Sequence, residues 1–283
     1  MEFKKITIIG LGLIGGSLAW ALKETDEVET VVGIDPNEET IEYALDKGII
    51  DKGSSSISEG VPGAEIIVVS THVGIIEDTA KSIFPVATEG SIITDVGSVK
   101  SSIVKGIEPK LPENIHFIGG HPIAGTENSG VKSADSKLFN GRRCILTPTE
   151  KTASEAIRNV TLMWQSVGSE VYEMDAETHD HIFGTVSHLP HIVAYSLMNT
   201  VLSAPDSEKL LEFAGGGLKD YTRVAASSPE MWVEIFKANK SHLLDAISMF
   251  KNSLGEIEDA IKNEDFDALK KELDKAAKAK RSL

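Results

Sequence analysis

The stretch Ile6-Thr7-Ile8-Ile9-Gly10-Leu11-Gly12-Leu13-Ile14-Gly15 decides the fold. Its four β-branched residues in a row read as a buried strand. Three glycines spaced G-x-G-x-x-G follow at once, ahead of an apolar stretch of helical character. The glycines then serve three different ends, since Gly10 permits a tight turn, Gly12 lets a pyrophosphate approach the backbone, and Gly15 lets helix and strand pack closely. Leu13 and Ile14 open the helix, whose N-terminus turns unpaired N–H groups and the positive end of its dipole toward phosphate. Residues 6–22 are apolar enough to suggest a signal peptide or membrane anchor, but the glycines interrupt them and no arginine flanks them. A strand turning into a helix is the expected structure.

A second strand expected over residues 30–34 ends at Asp35, 20 positions beyond Gly15, where an acid accepts hydrogen bonds from an adenosine ribose. No cation lies in residues 36–39, and Asp35, Glu38 and Glu39 would repel a 2′-phosphate, so NAD is expected over NADP. Further β-branched runs at 66–70, 91–95, 116–119, 144–147 and 170–174 alternate at first with helical stretches. The expectation is a parallel sheet whose strand ends hold the ligands. Thr71, just beyond the strand at 66–70, joins the cofactor edge, and His72 is read either as a ribose contact or as a turn cap. Residues 1–174 are therefore expected to form an α/β Rossmann domain. Beyond it the period becomes helical at 182–202 and 229–262, so residues 175–283 are expected to form an all-α domain. Ser228 caps, Pro229 suits the first turn, Glu230 suits the dipole, and a last helix starts near Phe266. Gly215-Gly216-Gly217 reads as a break between helices.

The chain of 283 residues is 41% apolar and 25% charged, as expected of a folded protein, and its formal charge of -15 argues against a nucleic-acid surface. An anionic small substrate must then find its cations in a local pocket. The single cysteine, Cys144, leaves no disulfide framework and no multi-cysteine metal site, and a cytoplasmic location is expected. His179, His181, His188 and His191 lack the spacing of a zinc site, and no metal is expected. His179 and His181 are read as lining an interdomain cleft or satisfying helix ends.

Ser98 and His121 each follow an expected strand, which places both at the edge where nicotinamide would lie. A histidine with an ordinary pKa of about 6.5 can take the proton of a substrate hydroxyl as hydride leaves the same carbon. Four segments carry more: Asp95-Val96-Gly97-Ser98-Val99-Lys100, Gly119-Gly120-His121-Pro122-Ile123-Ala124-Gly125-Thr126-Glu127, Val186-Ser187-His188-Leu189-Pro190-His191, and Gly215-Gly216-Gly217-Leu218-Lys219-Asp220-Tyr221-Thr222-Arg223.

Through these segments the chain resembles the prephenate dehydrogenase family over nearly its whole length, with His72 standing where many relatives have proline. The resemblance implies NAD-dependent oxidative decarboxylation of prephenate to 4-hydroxyphenylpyruvate and carbon dioxide, on the route to tyrosine. It makes His121 the acceptor from the C4 hydroxyl and Ser98 the group that orients histidine and cofactor. Arg223 becomes the bidentate partner of a carboxylate, with Lys219, His191, Thr126 and Ser187 as further substrate contacts. It requires no metal, because the developing conjugated carbonyl is the electron sink. Trp232 is read either as an apolar wall of the site or as core.

Arogenate or broad cyclohexadienyl dehydrogenase is the nearest alternative. A β-hydroxyacid dehydrogenase would rely on a helical-domain lysine, which the His121 segment argues against. A non-catalytic NAD sensor would leave His121, Arg223 and Ser98 unexplained. The helix expected over 229–262 is too long to be covered by its neighbours, so a homodimer through the helical domain is expected. Tyrosine would act as a competitive inhibitor if it binds, and no appended regulatory domain or fused mutase is expected.

Overall fold

The computed structural model describes residues 3–126 and 128–282. Eight strands, β1 Phe3–Ile9, β2 Val28–Ile34, β3 Lys52–Ser54, β4 Ile66–Val69, β5 Ile92–Asp95, β6 His116–Pro122, β7 Arg143–Thr147 and β8 Glu170–Glu173, form one sheet in the order β3-β2-β1-β4-β5-β6-β7-β8. Helices α1 Leu13–Lys23, α2 Glu38–Asp46, α3 Ile57–Gly60, α4 Val73–Ile83, α5 Ser101–Ile107 and α6 Ser154–Ser166 connect them. Strand order reverses between β1 and β4, which opens a crevice at their carboxyl ends, the Rossmann arrangement. The expected α/β fold with a following helical part is what forms.

Sheet residues alternate between two cores. Ile66 and Val68 join Ile6, Ile8, Leu18 and Trp164 on one face, while Ile67 and Val69 join Ile9, Ile76, Ile93 and Phe117 on the other. Cys144 is a free, buried thiol in the first of these.

Three details of the sheet differ from expectation. The edge strand β3, Lys-Gly-Ser, has no β-branched residue to announce it and forms because its backbone pairs with β2. The sheet is not wholly parallel: β7 pairs antiparallel with β6, and among the described residues of the link 123–142 there is no crossover α-helix. His121 does not follow β6 but lies within it, opposite Ile145. Gly119 and Gly120 lower strand propensity, yet they are required, since a Cβ would sit 2.4 Å from Thr147 Oγ1 at Gly119 and 2.7 Å from the Asp95 carbonyl oxygen at Gly120.

From Ala176 onward the chain is helical: α7 Ala176–Phe183, α8 Leu189–Leu202, α9 Ser207–Glu212, α10 Gly216–Thr222, α11 Pro229–Ala238, α12 Lys240–Lys262 and α13 Phe266–Lys280. A π-helical turn, Gly184–His188, joins α7 to α8. Such a turn rotates the helix face and recurs at functional sites. Ser228 caps α11 by accepting from the Met231 amide, and Gly215 caps α10 in an extended conformation. The single helix expected over 229–262 is two helices. They meet at Asn239, only 2% exposed, whose backbone departs from helical geometry at φ -109°, ψ 33° and whose side-chain amide donates to the Asp180 carbonyl oxygen at 2.8 Å. Among the described residues no helix is long and apolar enough to cross a membrane.

Candidate active site

The first side of the site is the glycine turn. Gly10 has φ +94°, a conformation that L side chains rarely adopt, and a Cβ there would meet the Ser70 carbonyl oxygen at 2.4 Å. A Cβ on Gly15 would lie 1.9 Å from the Gly10 carbonyl oxygen, so this glycine permits the close packing expected of it. Gly12 differs: it is the N-cap of α1, and nothing stands within 4 Å of where its Cβ would be. The opening turn of α1, with Leu13 and Ile14, carries no acidic residue and no side-chain cap, which leaves its N–H groups for an anion.

The Asp35 carboxylate is held beside this turn, accepting from Leu11 N at 2.9 Å and Asn37 N at 3.0 Å. At the end of β4, Thr71 Oγ1 is buried without a hydrogen-bond partner. His72 is exposed and takes the N-cap position of α4, where its side chain makes no capping hydrogen bond. Cradle, carboxylate and orphaned hydroxyl together fit a dinucleotide.

The second side is built around His121, which is 9% exposed at the end of β6. Its Nδ1 lies 2.8 Å from His179 Nε2, and Phe183 packs edge-on with ring centroids 4.9 Å apart. His179 Nδ1 in turn lies 2.8 Å from Asp180 Oδ1. The Asp180 carboxylate also accepts from the amides of Lys100 at 2.7 Å and Ser101 at 2.9 Å, so α7 caps the first turn of α5 across the junction between the two parts. Beneath the histidine, the fully buried Lys100 ammonium pairs with Asp95 and donates to the Gly120 carbonyl oxygen at 2.8 Å. Asp95 accepts from Gly97 N at 2.8 Å and Gly120 N at 3.2 Å, so the residue preceding His121 is clamped through both backbone groups.

Burial, with the neighbouring charges of His179, Lys100 and His188 adding to it, drives the His121 pKa well below 6.5. The ordinary value expected from sequence is therefore corrected: loss of water outweighs any stabilisation of the charged form, and the ring is neutral. Burial likewise lowers His179 and brings His188 to about 4. Burial alone would raise Asp180, but its bonds to His179 and to the amides of Lys100 and Ser101 outweigh that and hold the carboxyl below its usual range.

The other expected residues are distributed unevenly. Ser98 follows β5 as expected and is half-buried, but among the described residues its side chain makes no hydrogen bond to His121, whose partner is His179. His191, one turn beyond Ser187, donates Nδ1–H to the Ser187 carbonyl oxygen at 2.9 Å and stacks on Trp232 at 3.6 Å. Burial, then the charge of Arg223, lower its pKa, so it is neutral and not one of the cations. Trp232, 6% exposed, is a core residue that packs with Val99 and Ile235 and stacks on His191.

Arg223 and Lys219 lie on exposed positions at and before the end of α10, and the Arg223 charge reaches His191. Thr126 is exposed, with Oγ1 accepting from Asn128 N at 3.2 Å, and Glu127 lies outside the described residues. His181 is exposed and faces His242, away from the His121 chain.

Sequence reasoning missed Asp180, Asn239 and Lys100 and left His179 open. A buried acid next to a histidine carries no spacing signal, and residue types in the Asp95–Lys100 segment do not reveal that its two ends clamp Gly120. A groove of about 380 Å³ bordered by Val73, Glu77, Glu234 and Lys237 contains none of these residues.

Comparison with known proteins gives concordant results. A family model described as prephenate dehydrogenase, nucleotide-binding domain, matches residues 18–173, and one described as prephenate dehydrogenase, dimerization domain, matches residues 175–275. The glycine turn precedes the first match, so its reading stands on its own geometry. Prephenate dehydrogenase of Bacillus subtilis is 36% identical over 93% of this chain and 72% of that protein. Cyclohexadienyl dehydrogenase of Zymomonas mobilis is 34% identical over 99% of this chain and 96% of that protein. The crystal structure of prephenate dehydrogenase from A. aeolicus, in complex with hydroxyphenyl propionate and NAD+, superimposes with a TM-score of 0.92 at 39% identity, covering 100% of this chain and 98% of that one.

Proposed function

This chain belongs to the prephenate dehydrogenase family, and on that premise we propose that it oxidatively decarboxylates prephenate with NAD. The observation that carries the reading is a buried His121 near the carboxyl end of β6, two strands from β4 on the sheet edge that holds the dinucleotide crevice, kept neutral by burial and with one ring nitrogen held by His179, which leaves the other for substrate. Gly12, Asp35 and Thr71 would hold NAD, which when bound would supply the hydride acceptor. As the C4–H bond gives up its hydride, the second nitrogen of His121 takes the hydroxyl proton, and the C4 oxygen becomes a carbonyl conjugated through the ring. Cleavage of the C1–carboxylate bond releases carbon dioxide, and its electron pair aromatises the ring as far as that oxygen. The same proton then returns from His121 to the phenolate, so no net proton is consumed. Ser98 borders the cofactor edge, and Arg223 and Lys219 provide the cations for the two substrate carboxylates, with Thr126, Ser187 and His191 completing the surround.

The test is reduced-nicotinamide absorbance with prephenate and arogenate, each with NAD and NADP. Prephenate with NAD should give the highest kcat/KM. A preference for arogenate would transfer the assignment to that substrate, and a flat trace with folded, NAD-bound protein would make the chain a sensor.

Because a base works only when unprotonated, a depressed His121 pKa extends activity toward acid. The kcat/KM profile should stay level as pH falls through 6.5, and half-loss at or above that value would contradict the buried environment. Arg223→Ala should raise KM by roughly thirtyfold, about 2 kcal/mol, with kcat changed little. An unchanged KM would remove Arg223 from the site.

Leu244, Met249, Leu254 and Ile261 along α12 and Phe266 on α13 are exposed, and α13 has no buried residue. Such faces fit a homodimer, to be checked by sedimentation at micromolar concentration, where a monomer would refute it.

A further inference from the structure

The hydrogen bonds around His121 have a direction, and that direction is dictated from the helical part. Asp180 Oδ1 and Oδ2 receive the amides of Lys100 and Ser101, and an ionised carboxylate can only accept. His179 Nδ1, 2.8 Å from Asp180 Oδ1, must therefore be the donor. A neutral imidazole that donates from Nδ1 has a lone pair on Nε2. That lone pair faces His121 Nδ1 at 2.8 Å, so His121 in turn donates from Nδ1. Only Nε2 of His121 is then left unprotonated.

We infer that His179 and Asp180 are positioning residues that fix His121 as the Nδ1–H tautomer, so that its Nε2 is the base. The inference rests on the reaction proposed above and adds to it how the base is prepared. When His121 becomes an imidazolium, the Nδ1–H bond to His179 and the Asp180 carboxylate beyond it stabilise the new charge, while the carboxylate stays unprotonated. Neutrality of both rings is consistent with their burial. The remaining charged or titratable neighbours, Lys100 with Asp95 below, Cys144 on β7 and His188 on the π-helical turn, offer no competing acceptor for His121 Nδ1 among the bonds of the described residues. The base sits on β6 and its orienting groups on α7, so the tautomer is set only when the two parts are packed together.

The first measurement is made on the intact, substrate-free protein. Histidine-selective 15N labelling, with the His121 signals identified by their loss in His121→Asn, should show Nδ1 protonated and Nε2 bare at neutral pH. The Nε2–H tautomer would overturn the inference whether or not prephenate is oxidised. Failure of the wild-type protein to oxidise prephenate would remove the reaction and leave the tautomer result standing.

The second measurement compares two substitutions. His179→Leu removes the acceptor and should lower kcat by about a hundredfold with KM within threefold. His179→Gln can place Oε1 where Nε2 was and should recover most of that loss. Equal loss in both variants, or loss in neither, would reduce His179 to packing. A fall in thermal stability without this split would do the same.

Discussion

His121→Asn should lower kcat by roughly 10²–10⁴-fold while KM for prephenate and the affinity for NAD stay within a few-fold of the wild type. In the proposed reaction the histidine meets the substrate hydroxyl mainly as the proton moves, so its contribution would belong to the transition state. Asparagine cannot accept a proton near neutral pH, although it is polar and small enough to occupy the end of β6. The cofactor contacts should be untouched, because Gly12, Asp35 and Thr71 follow β1, β2 and β4 rather than β6. Steady-state kinetics with a separate NAD titration checks this. A variant that kept its kcat and lost substrate affinity would make His121 a binding group and would move the base elsewhere.

Lys100→Ala should cost about 3–5 kcal/mol of folding stability, a large share of what a domain possesses. Lys100 and Asp95 are both fully buried, and removing the ammonium strands a carboxylate that two backbone N–H groups only partly satisfy. It also frees the Gly120 carbonyl oxygen. Lys100→Met, which keeps most of the volume, should be nearly as damaging, because the penalty comes from the unpaired charge rather than from a cavity. Pairing that change with Asp95→Asn should recover much of the loss. Urea unfolding of the single and double variants measures this. If Lys100→Met unfolds at the wild-type midpoint, the pair contributes little. Since the clamped Gly120 precedes His121, the single variants should also lose turnover.

The Gly10, Gly12 and Gly15 spacing, the acid at Asp35 and the alternating runs of β-branched residues were legible because they encode local backbone requirements. A positive φ, a close approach of helix to strand and a period of two leave their mark on residue type wherever the chain goes. The change to helical period beyond the last strand and the Ser228-Pro229 start of α11 were legible for the same reason. The edge strand β3, the antiparallel return of β7 and the place of His121 inside β6 were not, because each depends on what a neighbouring strand offers rather than on its own propensity. The break at Asn239 is of the same kind, since the side chain of the residue at the break is buried against Asp180 and His188, partners distant in the chain.

Sequence by itself determined the chemical inventory: a glycine turn followed by an acid with no cation beside it, one histidine in the segment that reaches the strand ends, and cations clustered after the triple glycine. Tertiary structure decided the state of that histidine. Its depressed pKa comes from the water excluded by Phe183 and the sheet, and its bonding direction from a carboxylate that lies 59 positions away in the chain and one residue beyond His179. Burial and hydrogen-bond direction belong to distances between atoms, and those exist only once α7 is packed against α5 and β6.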